Sequence, residues 1–118
     1  MRISLLFLTV LLATAPFSAH AQSQPEMNAT ALADFEKADQ QLNAVYQKVL
    51  AQMDDTGKQK LVAAQKAWLK FRDAQADFDA DDARGGSMAP MLSSISAAST
   101  TRARTAQLQK WLDDQEGK

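Results

Sequence analysis

The chain has 118 residues, 23% charged and 46% hydrophobic, with a formal charge of −1, one histidine and no cysteine. So even a charge balance gives no general attraction to nucleic acid or to anionic lipid. With His20 alone and no thiol, the common zinc sites, a Ser/His/Asp triad and a thiolate nucleophile are all excluded, and no disulfide can reinforce the core.

Arg2 is followed by an apolar run from Ile3 to Ala15, then Pro16, then Ala19-His20-Ala21. Small residues at the first and third places of that triplet suit a signal peptidase, so residues 1–21 read as a leader cleaved after Ala21. The run is shorter than the roughly 20 apolar residues a membrane span needs. Cleavage removes the only histidine together with Arg2, leaving Gln22 to Lys118 as a periplasmic or secreted domain of roughly 100 residues with one modest core. No cysteine is available to carry a lipid anchor.

Beyond a polar stretch from Gln22 to Asn28, Leu32, Phe35, Leu42, Tyr46, Val49 and Met53 recur at three- and four-residue spacing. That period predicts a helix from about Thr30 to Met53. Asp39 falls on the same stripe, and a carboxylate facing a core needs a cation; Arg72 and Arg102 are the candidates. Asp54-Asp55-Thr56-Gly57 interrupts the pattern, with Thr56 and Gln59 forming a capping box for a second helix over about Gly57 to Ala80.

Leu61, Ala64, Gln65, Trp68, Phe71, Arg72, Gln75 and Phe78 share a broad face of that helix, part of it too polar to be buried without hydrogen bonds. Asp39, Gln65, Trp68, Arg72 and Arg102 are therefore read as a structural polar core. Asp77, Asp79, Asp81 and Asp82 crowd the helix end where the dipole disfavours negative charge, and fraying is expected there. Gly85 and Gly86 hinge the chain, Ser87 is placed to cap a third helix, and Pro90 is tolerated in its first turn. Met91, Ile95, Ala98, Arg102, Thr105, Leu108 and Leu112 give its inward face, with Trp111 alongside. With no strand pattern, repeat or long linker, the fold class is all-α: a small three-helix bundle whose second and third helices form an antiparallel hairpin.

The runs LNAVYQKVL, AQKAWLKFRDA, GGSM and TTRARTAQL resemble the lysozyme inhibitor LprI-like N-terminal domain family of exported bacterial proteins, over about residues 31 to 112. The strongest likeness lies in Ala64-Gln65 with Trp68, Arg72-Asp73, Gly85-Gly86-Ser87, and Thr101 with Arg104. Family members usually carry a cysteine after the Arg-Asp pair and another beyond the Gly-Gly-Ser turn; Ala76 and Ser96 stand in those places here. A hairpin turning at the glycines would set the two opposite one another, and without the disulfide the tip is expected to be looser than in relatives.

Asp77, Asp79 and Asp81 imitate the start of a calcium loop, but Asp82 stands where its glycine belongs and Met88 where its bidentate glutamate belongs. No metal or cofactor is expected, and no carboxylate pair marks an enzyme. The resemblance implies a protein partner, with lysozyme the named possibility. The tip residues Asp81, Asp82, Arg84, Gly85, Gly86 and Ser87 are the candidate contact: acidic overall, as suits a basic enzyme, with Arg84 and Ser87 as donors toward the two carboxyl groups of a glycan-cleaving cleft. The alternative is a periplasmic envelope interaction module with a non-lysozyme protein partner; ligand binding between the helices near Trp68 and Arg72 is a further one.

Overall fold

A computed structural model describes residues 21–118; the leader expected over 1–21 lies, apart from Ala21, outside them. Three helices account for almost all of the described chain: α1 over Gln24–Ala51, α2 over Asp55–Asp79 and α3 over Ala89–Glu116, with a 3₁₀ turn at Asp81–Ala83 between the last two. The all-α bundle is as expected. Among the described residues, no helix is long and apolar enough to cross a membrane.

Local chemistry sets the ends of the helices, and it moves three of the expected boundaries. Helix α1 begins a turn and a half before Thr30, because Ser23, in extended backbone, accepts a hydrogen bond from the Glu26 amide at 3.3 Å and Pro25 stands in the first turn, where its missing N–H costs nothing. Asp54, not Thr56, caps α2, accepting from the Gly57 amide at 2.8 Å. Thr56 is already inside the helix. A Cβ on Gly57 would lie 3.1 Å from the capping oxygen and 3.3 Å from Met53 Cβ, so the cap favours a glycine there. Ser87 does not cap α3 either: Met88 occupies the N-cap in helical geometry without a side-chain bond. Ser87 instead offers its carbonyl to Asn28 Nδ2 at 3.0 Å, joining the apex of the hairpin to the first turns of α1.

The reversal itself is made by backbone bonds. Gly86 N donates to Ala83 O at 2.8 Å, and Gly85 adopts φ +76°, the left-handed conformation that favours glycine. Down α2 and back up α3, the chain runs up-down-up, so α1 and α3 are parallel and pack the most extensively of the three pairs. The backbones of α1 and α2 approach each other least.

The apolar core, Leu42, Val49, Leu61, Leu108 and Leu112, fills the end away from the hairpin tip, flanked by half-buried Tyr46, Trp68 and Trp111. Toward the tip the buried positions are Ala31, Ala38, Ala76, Ala80, Ala97 and Ala98. The expected inward faces were too broad. On α2 only a narrow stripe through Leu61, Gln65, Arg72 and Ala76 is buried, leaving Phe71 55% and Phe78 74% exposed; Leu32 and Ile95 are exposed too. Side chains as small as alanine let the helices meet along a thin line, so residues about 100° off it stay in solvent.

Candidate functional site

Arg72 is the centre of the polar seam. Its guanidinium, on a residue only 9% exposed, donates from Nη1 to Asp39 Oδ1 and from Nε to Asp73 Oδ1, both at 3.0 Å. Its Cζ lies 4.9 Å from the centre of the Phe35 ring and 5.4 Å from that of Trp68. Two carboxylates and two aromatic rings thus share one cation, an arrangement only the planar guanidinium satisfies in all its parts. Of the two cations proposed for Asp39, Arg72 is the partner.

Arg102 is not. It is exposed on α3 and forms no ion pair among the described residues. Its neighbour one helical step away, Thr101, is fully buried, and Arg104 reaches the seam, donating from Nε to Gln65 Oε1 at 3.0 Å and from Nη1 to Gln107 at 2.6 Å. A single residue turns the side chain about 100°, enough to exchange the core for solvent. Burial lowers the pKa of Arg104 from its ordinary value. Gln65 is buried as expected, while Trp68 is half-buried, packing on the core with part of its indole in solvent.

Closer to the tip, Ser96 Oγ donates to Asp79 Oδ2 at 2.6 Å, and Gln75 Nε2 donates to Asp79 Oδ1 at 2.8 Å. Ser96 and Ala76 are both buried on this seam, and Asp79 lies one turn along from Ala76. The Ser96–Asp79 bond therefore ties the two arms of the hairpin at the level of Ala76 and Ser96, while Gln75 holds Asp79 from within α2. Asp79 turns to α3 and Asp81 to Arg84, so these carboxylates do not converge; among the described residues no cluster of three His, Cys, Asp or Glu could hold a metal ion.

The candidate contact residues do come together at the apex. Asp81, Asp82, Arg84, Gly85, Gly86 and Ser87 are all exposed. Arg84, its side chain 80% exposed, pairs with Asp81 through Nε at 3.3 Å and Nη2 at 3.4 Å. The contributions of Phe35, Asp73 and Asn28 went unread in the sequence. Asp73 adjoins Arg72 and Phe35 shares the stripe of Asp39, but nothing in the spacing signals Asn28.

An up-down-up bundle with an arginine clasped by rings and carboxylates at its seam, and an acidic apex beyond it, defines a small all-α protein built around a polar hairpin. The chain belongs to the lysozyme inhibitor LprI family, whose profile matches residues 17–108. It is 38% identical to an uncharacterized protein of Rhizobium meliloti, over 81% of this chain and 78% of that relative. No solved structure matches the chain.

Proposed function

We propose that the protein is exported and acts by binding, as an inhibitor of lysozyme that sets its hairpin apex against the glycan-cleaving cleft. Membership of the lysozyme inhibitor LprI family carries this reading. The apex geometry supports it: six exposed polar or glycine residues stand at the end of a tied hairpin, with Gly85 in a conformation that gives a sharp, narrow projection.

Lysozyme cleaves its substrate with two carboxyl groups facing one another across a cleft. Arg84 supplies a cation and several N–H donors for them, and Ser87 a hydroxyl. In the free protein Arg84 leans on Asp81, an exposed pair worth no more than about 1 kcal/mol, so it exchanges readily for a new carboxylate. Purified protein titrated against several lysozyme classes in a cell-wall clearing assay is expected to slow clearing by at least one class. The double substitution Arg84→Ala and Ser87→Ala should abolish that inhibition with unchanged thermal melting. Full retention of inhibition would remove the apex from the contact.

A second reading, an envelope protein whose partner is not lysozyme, draws on Phe71 and Phe78, two exposed rings seven residues apart on one face of α2. It requires that no lysozyme class be inhibited, and that Phe71→Ser with Phe78→Ser, rather than the apex substitutions, reduce capture of the envelope partner.

A further inference from the structure

One face of α2 packs against neither of the other helices. Ala64, Ala67, Phe71, Ala74 and Phe78 recur along it at alternating three- and four-residue spacing, and all five are exposed, Phe71 and Phe78 by more than half. They line up about 130° round the helix from the buried positions Leu61, Gln65, Arg72 and Ala76. Strict alternation of threes and fours is the spacing that seats a second helix alongside, with the side chains of one inserted between those of the other. Two rings in such a stripe, with alanine between them, form a patch rather than scattered exposure.

The stripe is complementary to itself in one arrangement. When two copies of α2 lie antiparallel about a two-fold axis between Arg72 and Asp73, Phe71 of one copy falls beside Ala74 of the other and Phe78 beside Ala67, so every ring meets an alanine. Lys70 and Asp77 stand along one edge of the stripe, both exposed and in no ion pair among the described residues. The same axis sets Lys70 of each copy against Asp77 of the other. Sliding one helix by a heptad in either direction instead opposes Lys70 to Lys70 or Asp77 to Asp77, and a parallel pairing stacks ring on ring and alanine on alanine. The charge of the whole helix agrees: apart from Asp55 at its start, Lys58, Lys60, Lys66 and Lys70 lie before the axis, whereas Asp73, Asp77 and Asp79 lie after it. Size and charge therefore select one register.

We infer that the outer face of α2 is a self-association surface, through which two copies of this chain pair antiparallel as a two-fold dimer. Phe71 and Phe78 fill the gaps over the alanines of the second copy, and Lys70 and Asp77 fix orientation and register. The contact from Ala64 to Phe78 runs along about 21 Å of helix, which puts it at the small end of specific interfaces, below about 1,200 Å² in total. The dimer therefore forms and dissociates with protein concentration. Because the two copies of α2 run in opposite directions, the two hairpin apexes lie at opposite ends of the pair. The inference is independent of the lysozyme reading and goes beyond it.

Sedimentation equilibrium of the purified protein at low salt, from low micromolar to near-millimolar concentration, is expected to show a monomer–dimer equilibrium. Phe71→Ser with Phe78→Ser, both at exposed positions, should weaken the dimer by about 10-fold or more, with the melting of dilute protein unchanged. Lys70→Asp alone and Asp77→Lys alone should each weaken it about 5-fold, as exposed pairs turned repulsive do. An equimolar mixture of these two single variants should regain the dimer, because in the mixed pair both edges again join opposite charges. Monomer at every concentration would overturn the inference and leave the two rings to the envelope partner of the second reading. A dimer untouched by the ring substitutions overturns it as well, and so does a mixture of the charge variants that associates no better than either variant alone.

Discussion

Where α1 and α3 run out together, Leu42, Val49, Leu61, Leu108 and Leu112 interlock; where the hairpin turns, the buried places are taken by Ala31, Ala38, Ala76, Ala80, Ala97 and Ala98. A buried leucine contributes about 1.5–3 kcal/mol through removal of its surface from water, whereas alanine offers a single methyl, so the two ends are stabilised very unequally. What the alanine end lacks in apolar area it supplements with directed bonds: Ser96 to Asp79, Gln75 to Asp79, Asn28 to the Ser87 carbonyl. The difference teaches that one half of the bundle is held by apolar packing while the other is held by directed bonds that fix the shape of the turn.

The sharpest way to break that contrast is at the leucine end. Leu42, 1% exposed, replaced by alanine should lose about 3–4 kcal/mol in urea unfolding, because a cavity remains among large neighbours. A loss below 1 kcal/mol would mean the core is not concentrated there. Between the two ends, Arg72→Ala is expected to cost about 2–3 kcal/mol, combining lost ring contacts with lost hydrogen bonds, and to shift Trp68 emission. The half- and mostly exposed partners Asp39 and Asp73 keep this below the cost of a sealed ion pair. Arg72→Lys should recover only part, since an ammonium cannot bond both carboxylates and stack on both rings; full recovery would reduce the seam to simple charge.

The smallest change belongs to the alanine end. Ser96→Ala is expected to lower stability by about 1 kcal/mol. Its signature is local: amide exchange should speed up around Ala76 to Ser96 and stay unchanged around Leu108 to Leu112, as expected for a region that opens without global unfolding. Uniform acceleration along the whole chain would show instead that the two ends unfold as one.

Much of this was legible in the residues. Three- and four-residue spacing marks all three helices, Gly85 marks the reversal, and a carboxylate on an apolar stripe at Asp39 called for a cation that Arg72 supplies. The misplaced details share a physical origin. Spacing places Arg102 inward with Ala98 and Thr105, but the buried face of α3 is centred on Thr101 and Leu108, and Arg102 lies about 100° round the helix from Thr101. Phe71 and Phe78 share the broad face of α2 by helical spacing, but alanine-sized contacts leave too narrow a buried stripe to take them. The helix caps went astray for a simpler reason: Asp54 and Thr56 are both good capping residues two positions apart, and Gly57, by leaving room beside Asp54, favours the earlier one. Of the candidate site, the apex cluster was legible as a turn between charged residues, whereas the bond from Asn28 to the Ser87 carbonyl arises from α1 being brought alongside the hairpin, a juxtaposition no local pattern encodes.

Because α1 and α3 run in the same direction, and Asn28 holds on to Ser87, the amino-terminal start of the described chain sits beside the hairpin apex and its carboxyl terminus at the far end. Anything fused ahead of Ser23 would therefore lie against the apex, while cargo attached after Lys118 would trail behind the bundle; immobilisation on a surface through the carboxyl terminus leaves the apex facing outward.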